Sequence, residues 1–136
     1  MPVTYAIDAS QGIIRTRCIG NVELAEILDH FQQLSQDETC PPFLSVLLDL
    51  TELTSLPQSA QLHVVADTIR ALREHVQFDA CAVAVSRDAV YGMARVFAVF
   101  AEPYFQSIAV FREIGESEAW LSAQSAVIAK QRRERA

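Results

Sequence analysis

Polar residues that could bind a ligand or a partner lie at the ends of two apolar segments of the sequence. The first group begins at Asp49, within the segment at residues 43–50, and continues beyond it. The second group begins at Ser86, the last residue of the segment at residues 80–86, and continues into the residues that follow. The two groups comprise Asp49, Thr51 and Ser59, and Ser86, Arg87, Asp88 and Tyr91. If both segments are parallel strands, these side chains meet at the carboxyl edge of one sheet, where open α/β folds bind ligands. Structural roles also account for them, since Asp49 can end a strand and Ser59 and Asp88 can cap helices.

Catalytic and metal-binding patterns are missing from the sequence. A nucleophilic centre needs a Ser or Cys beside a His that a carboxylate orients. His30, His63 and His75 fall on predicted helices, and the sequence has no Gly-x-Ser-x-Gly turn. It also has no Cys-x-x-Cys or His-x-x-x-His spacing for a metal, and its 4 glycines do not form a phosphate loop. We therefore expect no enzyme activity, metal or cofactor.

Four apolar segments, each followed by a segment of helical periodicity, would position the polar groups. They cover residues 13–19, 43–50, 80–86 and 107–111, and an alternating strand at residues 3–8 precedes them. The segments at 43–50 and 80–86 are apolar at nearly every position, which is typical of parallel strands covered on both faces. This order predicts a single α/β domain with a mostly parallel five-stranded sheet, a leading antiparallel hairpin and four helices.

Several local signals refine this prediction. Alanines occupy one face of the segment at 80–86, so a helix can approach the sheet closely there. Asn21 is a plausible cap of the first helix, and residues 51–58 form a polar loop before the second. The single tryptophan, Trp120, is expected to anchor the last helix to the sheet.

The third predicted helix is apolar on almost every side. Its polar positions are Tyr91, Gly92, Arg95 and Glu102, and Val99 lies on their side of the helix. Such a helix is either buried or contacts a partner or ligand. A homodimer through Tyr91, Arg95 and Val99 is the simplest arrangement, because a two-fold axis requires only one such patch. Alternatively, the helix lines a pocket for an apolar small molecule.

Composition and charge exclude other classes. A chain of 136 residues fits one domain, and a net charge of −6 argues against a nucleic-acid surface. The basic residues Lys130, Arg132, Arg133 and Arg135 cluster near the end, which suggests a domain at residues 1–129 and a polar helical tail at 130–136. No targeting signal or membrane-spanning run is recognisable, and three dispersed cysteines suit reduced thiols, so we expect a cytoplasmic protein.

The order of the elements resembles the STAS-like domains. It is closer to the bacterial SpoIIAA-like proteins, which are structurally related to CRAL-TRIO lipid-binding domains. The likeness covers about residues 3–121 and rests on Asp49-Leu50-Thr51, residues 91–100, Val110-Phe111-Arg112 and Glu118-Ala119-Trp120-Leu121. In anti-sigma-factor antagonists an Asp-Ser-Ser-Gly motif opens the helix after the Asp-Leu strand. An ungapped count from Asp49 places that motif on residues 57–60. Of its four residues only the second serine, which is the one phosphorylated in those antagonists, is retained here, as Ser59.

The resemblance implies a non-enzymatic binding or regulatory module that engages a protein partner. The alternative that it implies is a carrier of an apolar ligand such as a lipid.

Overall fold

Strands and helices alternate along the chain after an initial hairpin. The structure is a computed structural model that describes residues 2–55 and 58–135, apart from the side chain of Ser59. Its elements are β1 (Val3–Asp8), β2 (Ile13–Asn21), α1 (Leu24–Ser35), β3 (Phe43–Ser55), α2 (Ser59–Leu72), β4 (Gln77–Val85), α3 (Asp88–Ala101), β5 (Ser107–Phe111) and α4 (Ile114–Arg135). A short 3-10 turn, Glu102–Tyr104, follows α3.

The described strands form one sheet in the order β1-β2-β3-β4-β5. β1 and β2 pair antiparallel, with Tyr5 opposite Thr16, whereas β2 to β5 are mutually parallel. Each parallel connection contains a helix, because a crossover of this kind cannot be made by a tight turn. The predicted fold class is confirmed.

One face of the sheet is covered by α1, α2 and α3. Alternation along β2 turns Ile14, Thr16 and Cys18 toward these helices and leaves Arg15 and Arg17 exposed on the other face. In this layer α2 packs against α1 and α3 rather than mainly against a strand. The three helices therefore form a layer of their own, with α2 at its centre.

The opposite face carries α4. Leu121 and Ile128 of this helix pack in a cluster with Leu47 of β3 and with Ala80 and Ala82 of β4. The predicted close approach of a helix to the alanine face is thus confirmed, and the helix is α4.

Trp120, the expected anchor of that helix, packs against this cluster as a partly buried residue. Its ring lies 5.6 Å from that of Phe111, and the side chain stays half-buried. The adjacent Leu121, only 2% exposed, lies deeper against the sheet. Successive residues of a helix point about 100° apart, so only one of the two can face the sheet directly.

α4 continues without a break across the boundary expected after residue 129. Arg132 forms an ion pair with buried Asp79 at 2.5 Å, and its guanidinium lies 3.5 Å from the ring centroid of Phe43. A guanidinium over an aromatic face is favourable, so this basic residue fixes the end of the helix to the start of the sheet. Ala136 lies outside the described residues.

The strand and helix ends correct several local expectations. β3 runs to Ser55 instead of ending near Asp49, because its pairing with β2 continues past two register shifts. Asn21 belongs to β2, and the cap of α1 is Glu23, whose amide donates to the carboxylate of Glu26 at 3.0 Å.

The cap of α2 is Gln58 rather than Ser59. The backbone amide of Gln58 donates to the side-chain oxygen of Gln61 at 3.2 Å. His75 lies in the turn between α2 and β4, not on a helix. Pro57, expected to close the preceding loop, is outside the described residues.

Candidate functional site

An apolar cavity lies between the sheet and the layer formed by α1, α2 and α3. Its volume is about 100 Å³. Residues of β1 to β4 form one side, residues of the three helices form the other, and Phe105 completes the lining. We call this space the core cavity.

The core cavity exists because the helix layer does not fill the space above the central strand. Val46 and Leu48 of β3 both line it, and both retain accessible surface although they lie at the middle of the sheet. Leu62, Val65 and Ile69 of α2 line the opposite side. Protein interiors are normally packed without voids larger than a water molecule, so a space of this size is unusual.

An empty cavity of this kind is costly. The atoms that line it lack the van der Waals partners that a packed core supplies. Water cannot remove that cost efficiently, because a buried water needs two to four polar partners and the lining is almost wholly apolar.

Thr16 and His30 provide the polar side chains of the lining, and His30 differs from Thr16 in having a buried nitrogen without a partner in the described part of the chain. His30 is 8% exposed, and its Nδ1 is buried without a hydrogen-bond partner among the described residues. Its ring packs against those of Tyr5 and Phe31 at centroid distances of 5.1 and 5.5 Å. Burial lowers the pKa of His30 from 6.5 to about 4, so the imidazole is neutral at pH 7.

Tyr5 is held in place by a hydrogen bond at its other end. Its hydroxyl donates to Asp37 Oδ2 at 2.7 Å. Burial and this carboxylate raise the pKa of Tyr5 to about 12, so it remains a phenol. The Tyr5 ring is thereby fixed against His30.

Two cysteines, Cys18 and Cys81, also line the core cavity. Burial raises the pKa of both thiols to about 12, with Asp49 adding to the effect at Cys18. The thiolate is the reactive form of cysteine, so both side chains act here as small apolar groups.

Five of the polar residues predicted to form a site lie at the carboxyl edge of the sheet in two separate groups, with Asp49, Thr51 and Ser86 in one and Asp88 and Tyr91 in the other. Asp49 accepts hydrogen bonds from the Thr51 amide at 3.0 Å and the Thr51 hydroxyl at 2.7 Å. The Ser86 hydroxyl donates to the Thr51 carbonyl at 2.6 Å. These bonds tie β3 to the end of β4, with the Thr51 hydroxyl on the Asp49 carboxylate and the Ser86 hydroxyl on the Thr51 backbone carbonyl.

The second group surrounds Tyr91. Asp88 forms an ion pair with Arg112 at 2.5 Å, and the Arg112 guanidinium lies 4.2 Å from the Tyr91 ring centroid. Asp88 does not cap α3, because it is the first residue of the helix and Arg87 occupies the cap position. Arg87 is exposed, and nothing is described for the side chain of Ser59.

The face expected to form a dimer interface is partly accessible. The Arg95 guanidinium lies 5.9 Å from the Tyr91 ring centroid. Val99 is 66% exposed, more than the other exposed large apolar side chains of the described residues. This patch therefore lies on the surface of α3, away from the core cavity.

A second depression, of about 230 Å³, lies beside α4 over β1 and β2. Arg15 and Glu118 form an ion pair at 3.2 Å in its lining, which also includes Asp8 and Gln11. Both partners of the pair are well exposed. Its polar lining suits water, in contrast to that of the core cavity.

Sequence reasoning missed His30 as a site residue. The signal was its spacing: His30 is three residues after Ile27 and four before Leu34, and it shares the apolar stripe of α1 with them. A polar side chain inside such a stripe is buried, and whether it finds a partner depends on the neighbouring elements.

The described residues contain neither a cluster suited to a metal ion nor a membrane-spanning helix. In the described part of the chain, no group of three or more His, Cys, Asp or Glu residues is placed to hold a metal ion. No helix within residues 2–55 and 58–135 is long and apolar enough to cross a membrane.

The hairpin, the three parallel crossovers and the separation of α4 from the other helices define a SpoIIAA-like α/β fold. The chain is similar to the crystal structure of an uncharacterized protein of the DUF3478 family with a SpoIIAA-like fold from Shewanella loihica. The TM-score is 0.56 at 16% sequence identity, and the match covers 88% of this chain and 91% of the other. No family model matches the sequence, and no curated protein matches it either. The resemblance inferred from the sequence is thus confirmed at the level of the fold.

Proposed function

We propose that this protein binds a small apolar ligand in the core cavity. The observation that carries the proposal is the unfilled, apolar space above Val46 and Leu48 at the centre of the sheet. A ligand that fills it would remove its own apolar surface from water at about 25 cal/mol per Å². It would also supply the van der Waals partners that the lining lacks.

The core cavity supports a ligand more strongly than the carboxyl edge supports a protein partner. At that edge Asp49, Thr51 and Ser86 bond to one another, which their structural roles explain. Nothing comparable accounts for a void in the core, since filling it with larger side chains would stabilise the fold.

The proposal is for binding without catalysis. The neutral His30 lacks a described carboxylate to orient it, and the Cys18 and Cys81 thiols are held protonated by burial. An activated nucleophile would need the opposite in each case. The unpaired state of all three cysteines further supports a reducing compartment, and we propose the cytoplasm.

A methyl-detected NMR titration with n-hexane tests the proposal. Protein labelled at Ile, Leu and Val methyls should show saturable shifts at Ile14, Leu34, Leu62 and Ile69, which line the core cavity. Methyls of Leu47 and Ile128, in the cluster beneath α4, are the internal control and should not move. Uniform shifts on both faces, or none at the cavity methyls, would refute the proposed function.

A second candidate function is association through the exposed face of α3, with a homodimer as the simplest partner. It is favoured by the 66% exposure of Val99 beside Arg95 and Tyr91. Val99→Glu should then convert a sedimenting dimer into a monomer. Val127→Glu is the matched control, because Val127 is exposed on α4 and outside the proposed interface. A wild-type monomer at high micromolar concentration would contradict this candidate.

A further inference from the structure

We propose that His30 is the polar recognition group of the core cavity, and that the ligand is an uncharged apolar molecule with one hydroxyl group. This inference rests on the proposed function and specifies its ligand. The cavity provides the apolar volume, and His30, which lines it together with Thr16, carries a buried nitrogen that has no hydrogen-bond partner among the described residues.

The unpartnered nitrogen is the first argument. Nearly all buried side-chain nitrogens and oxygens in proteins have a hydrogen-bond partner, and an exception calls for an explanation. Nδ1 of His30 is such an exception on a side chain that is 92% removed from solvent. A ligand hydroxyl within the cavity would complete its hydrogen bonding.

The absence of charge in the lining is the second argument. The residues that line the core cavity include no Lys, Arg, Asp or Glu. His30 itself is neutral at pH 7. An ionised carboxylate placed there would lose its hydration without gaining a cation, which is strongly unfavourable. The site therefore selects an alcohol over the corresponding fatty acid anion.

A hydroxyl also fits either tautomer of His30. In a neutral imidazole one nitrogen donates and the other accepts. A hydroxyl can accept from a protonated Nδ1 or donate to an unprotonated one. An ester or ketone could only accept, so the alcohol is the group that always matches.

Matched six-carbon ligands test this. The dissociation constants of hexan-1-ol, n-hexane and hexanoate are measured at pH 7 for wild type, His30→Phe and His63→Phe. His30→Phe keeps an aromatic ring of similar size and removes the nitrogen. His63 is exposed, lies outside the cavity lining and stacks on Phe100, so its variant is the control.

The decisive quantity is the dissociation constant of n-hexane divided by the dissociation constant of hexan-1-ol. The cost of removing each ligand from water is the same for every variant, so it cancels between proteins. One hydrogen bond predicts that the ratio falls about tenfold in His30→Phe and is unchanged in His63→Phe. Hexanoate should bind wild type at least about tenfold more weakly than hexan-1-ol.

The outcomes separate the two proposals. If hexane binds wild type but the ratio is the same in His30→Phe, the recognition role of His30 is wrong and the proposed function stands. If neither hexane nor hexanol binds, the proposed function itself is wrong. Should His30→Phe fail to fold, the ¹⁵N shift of His30 Nδ1 in wild type replaces it: a shift with hexanol and none with hexane supports the role, and equal responses overturn it.

Discussion

The two faces of the sheet are packed in opposite ways. Beneath α4 the strands present Ala80 and Ala82, and a single helix closes on them through Leu121 and Ile128. Beneath α1, α2 and α3 the strands present larger residues such as Val46 and Leu48, yet a cavity of about 100 Å³ remains. The contact with α4 thus includes two alanines of β4, whereas the open face carries Val46 and Leu48 at its centre.

The difference lies in how the helices are supported. α4 lies directly on β3 and β4, so the size of the strand side chains sets its distance from the sheet. α2 contacts its neighbours α1 and α3, and its residues Leu62, Val65 and Ile69 line the core cavity.

The largest expected effect is on the dense face. Leu121→Ala should lower the free energy of unfolding by about 2 to 5 kcal/mol, because it leaves a cavity against buried alanines. The neighbouring Trp120→Ala should cost only about 1 to 2 kcal/mol, because that side chain is half-buried. Urea unfolding of both variants gives the comparison, and a larger loss for Trp120→Ala would reverse our description of how α4 docks.

The next largest effect is the pH dependence of stability that buried His30, on the open face, should cause. The pKa of His30 is about 4 in the fold and 6.5 in its ordinary environment, so the unfolded chain takes up this proton first. The contribution of neutral His30 to the free energy of unfolding should be fully present above about pH 6.5. It should fall by up to about 3 kcal/mol as the pH drops to about 4, and His30 should cause no further loss below that pH.

Unfolding free energies between pH 8 and 4 test this for wild type, His30→Phe and His63→Phe. The loss should disappear in His30→Phe and persist in His63→Phe. Asp8 and Asp37, whose pKa values are lowered by hydrogen bonds from Ser10 and Thr39, lose their contributions only below about their ordinary value of 3.8. An unchanged loss in His30→Phe would show that His30 is solvated.

The smallest effect is the difference between substitutions at two adjacent residues that lie on opposite faces of the sheet. Ala82 lies beneath α4 and Cys81 lines the core cavity. Ala82→Leu should destabilise by about 1 to 3 kcal/mol or more, because there is no room for three extra carbons. Cys81→Leu should change stability by less than about 1 kcal/mol, because the added carbons enter existing space. Equal losses in thermal or urea unfolding would mean that the faces are packed alike.

The sequence predicts the framework well for a physical reason. Period-two and period-3.6 apolar patterns report which faces are buried, and the alternation of the two fixes the order of strands and helices. The alanines at 80, 82 and 84 likewise predict a close helix, because small side chains on a strand let a helix pack near the sheet.

What the sequence could not predict depends on distances between elements. A stripe such as Leu62, Val65 and Ile69 shows that α2 turns an apolar face inward, but not that a cavity remains between this face and the sheet. The same limit applies to His30, whose lack of a partner follows from that spacing. The caps at Glu23 and Gln58 were missed because Glu and Gln are not among the preferred capping residues.

A crystal structure determined under xenon pressure tests the contrast between the faces most directly. Xenon enters dry apolar cavities of this kind and has no affinity for polar depressions that hold water. The account predicts xenon between His30, Val46 and Val65, and none in the cluster of Leu47, Ala82 and Leu121 beneath α4. A core with no xenon, filled by side chains or ordered water, would contradict it.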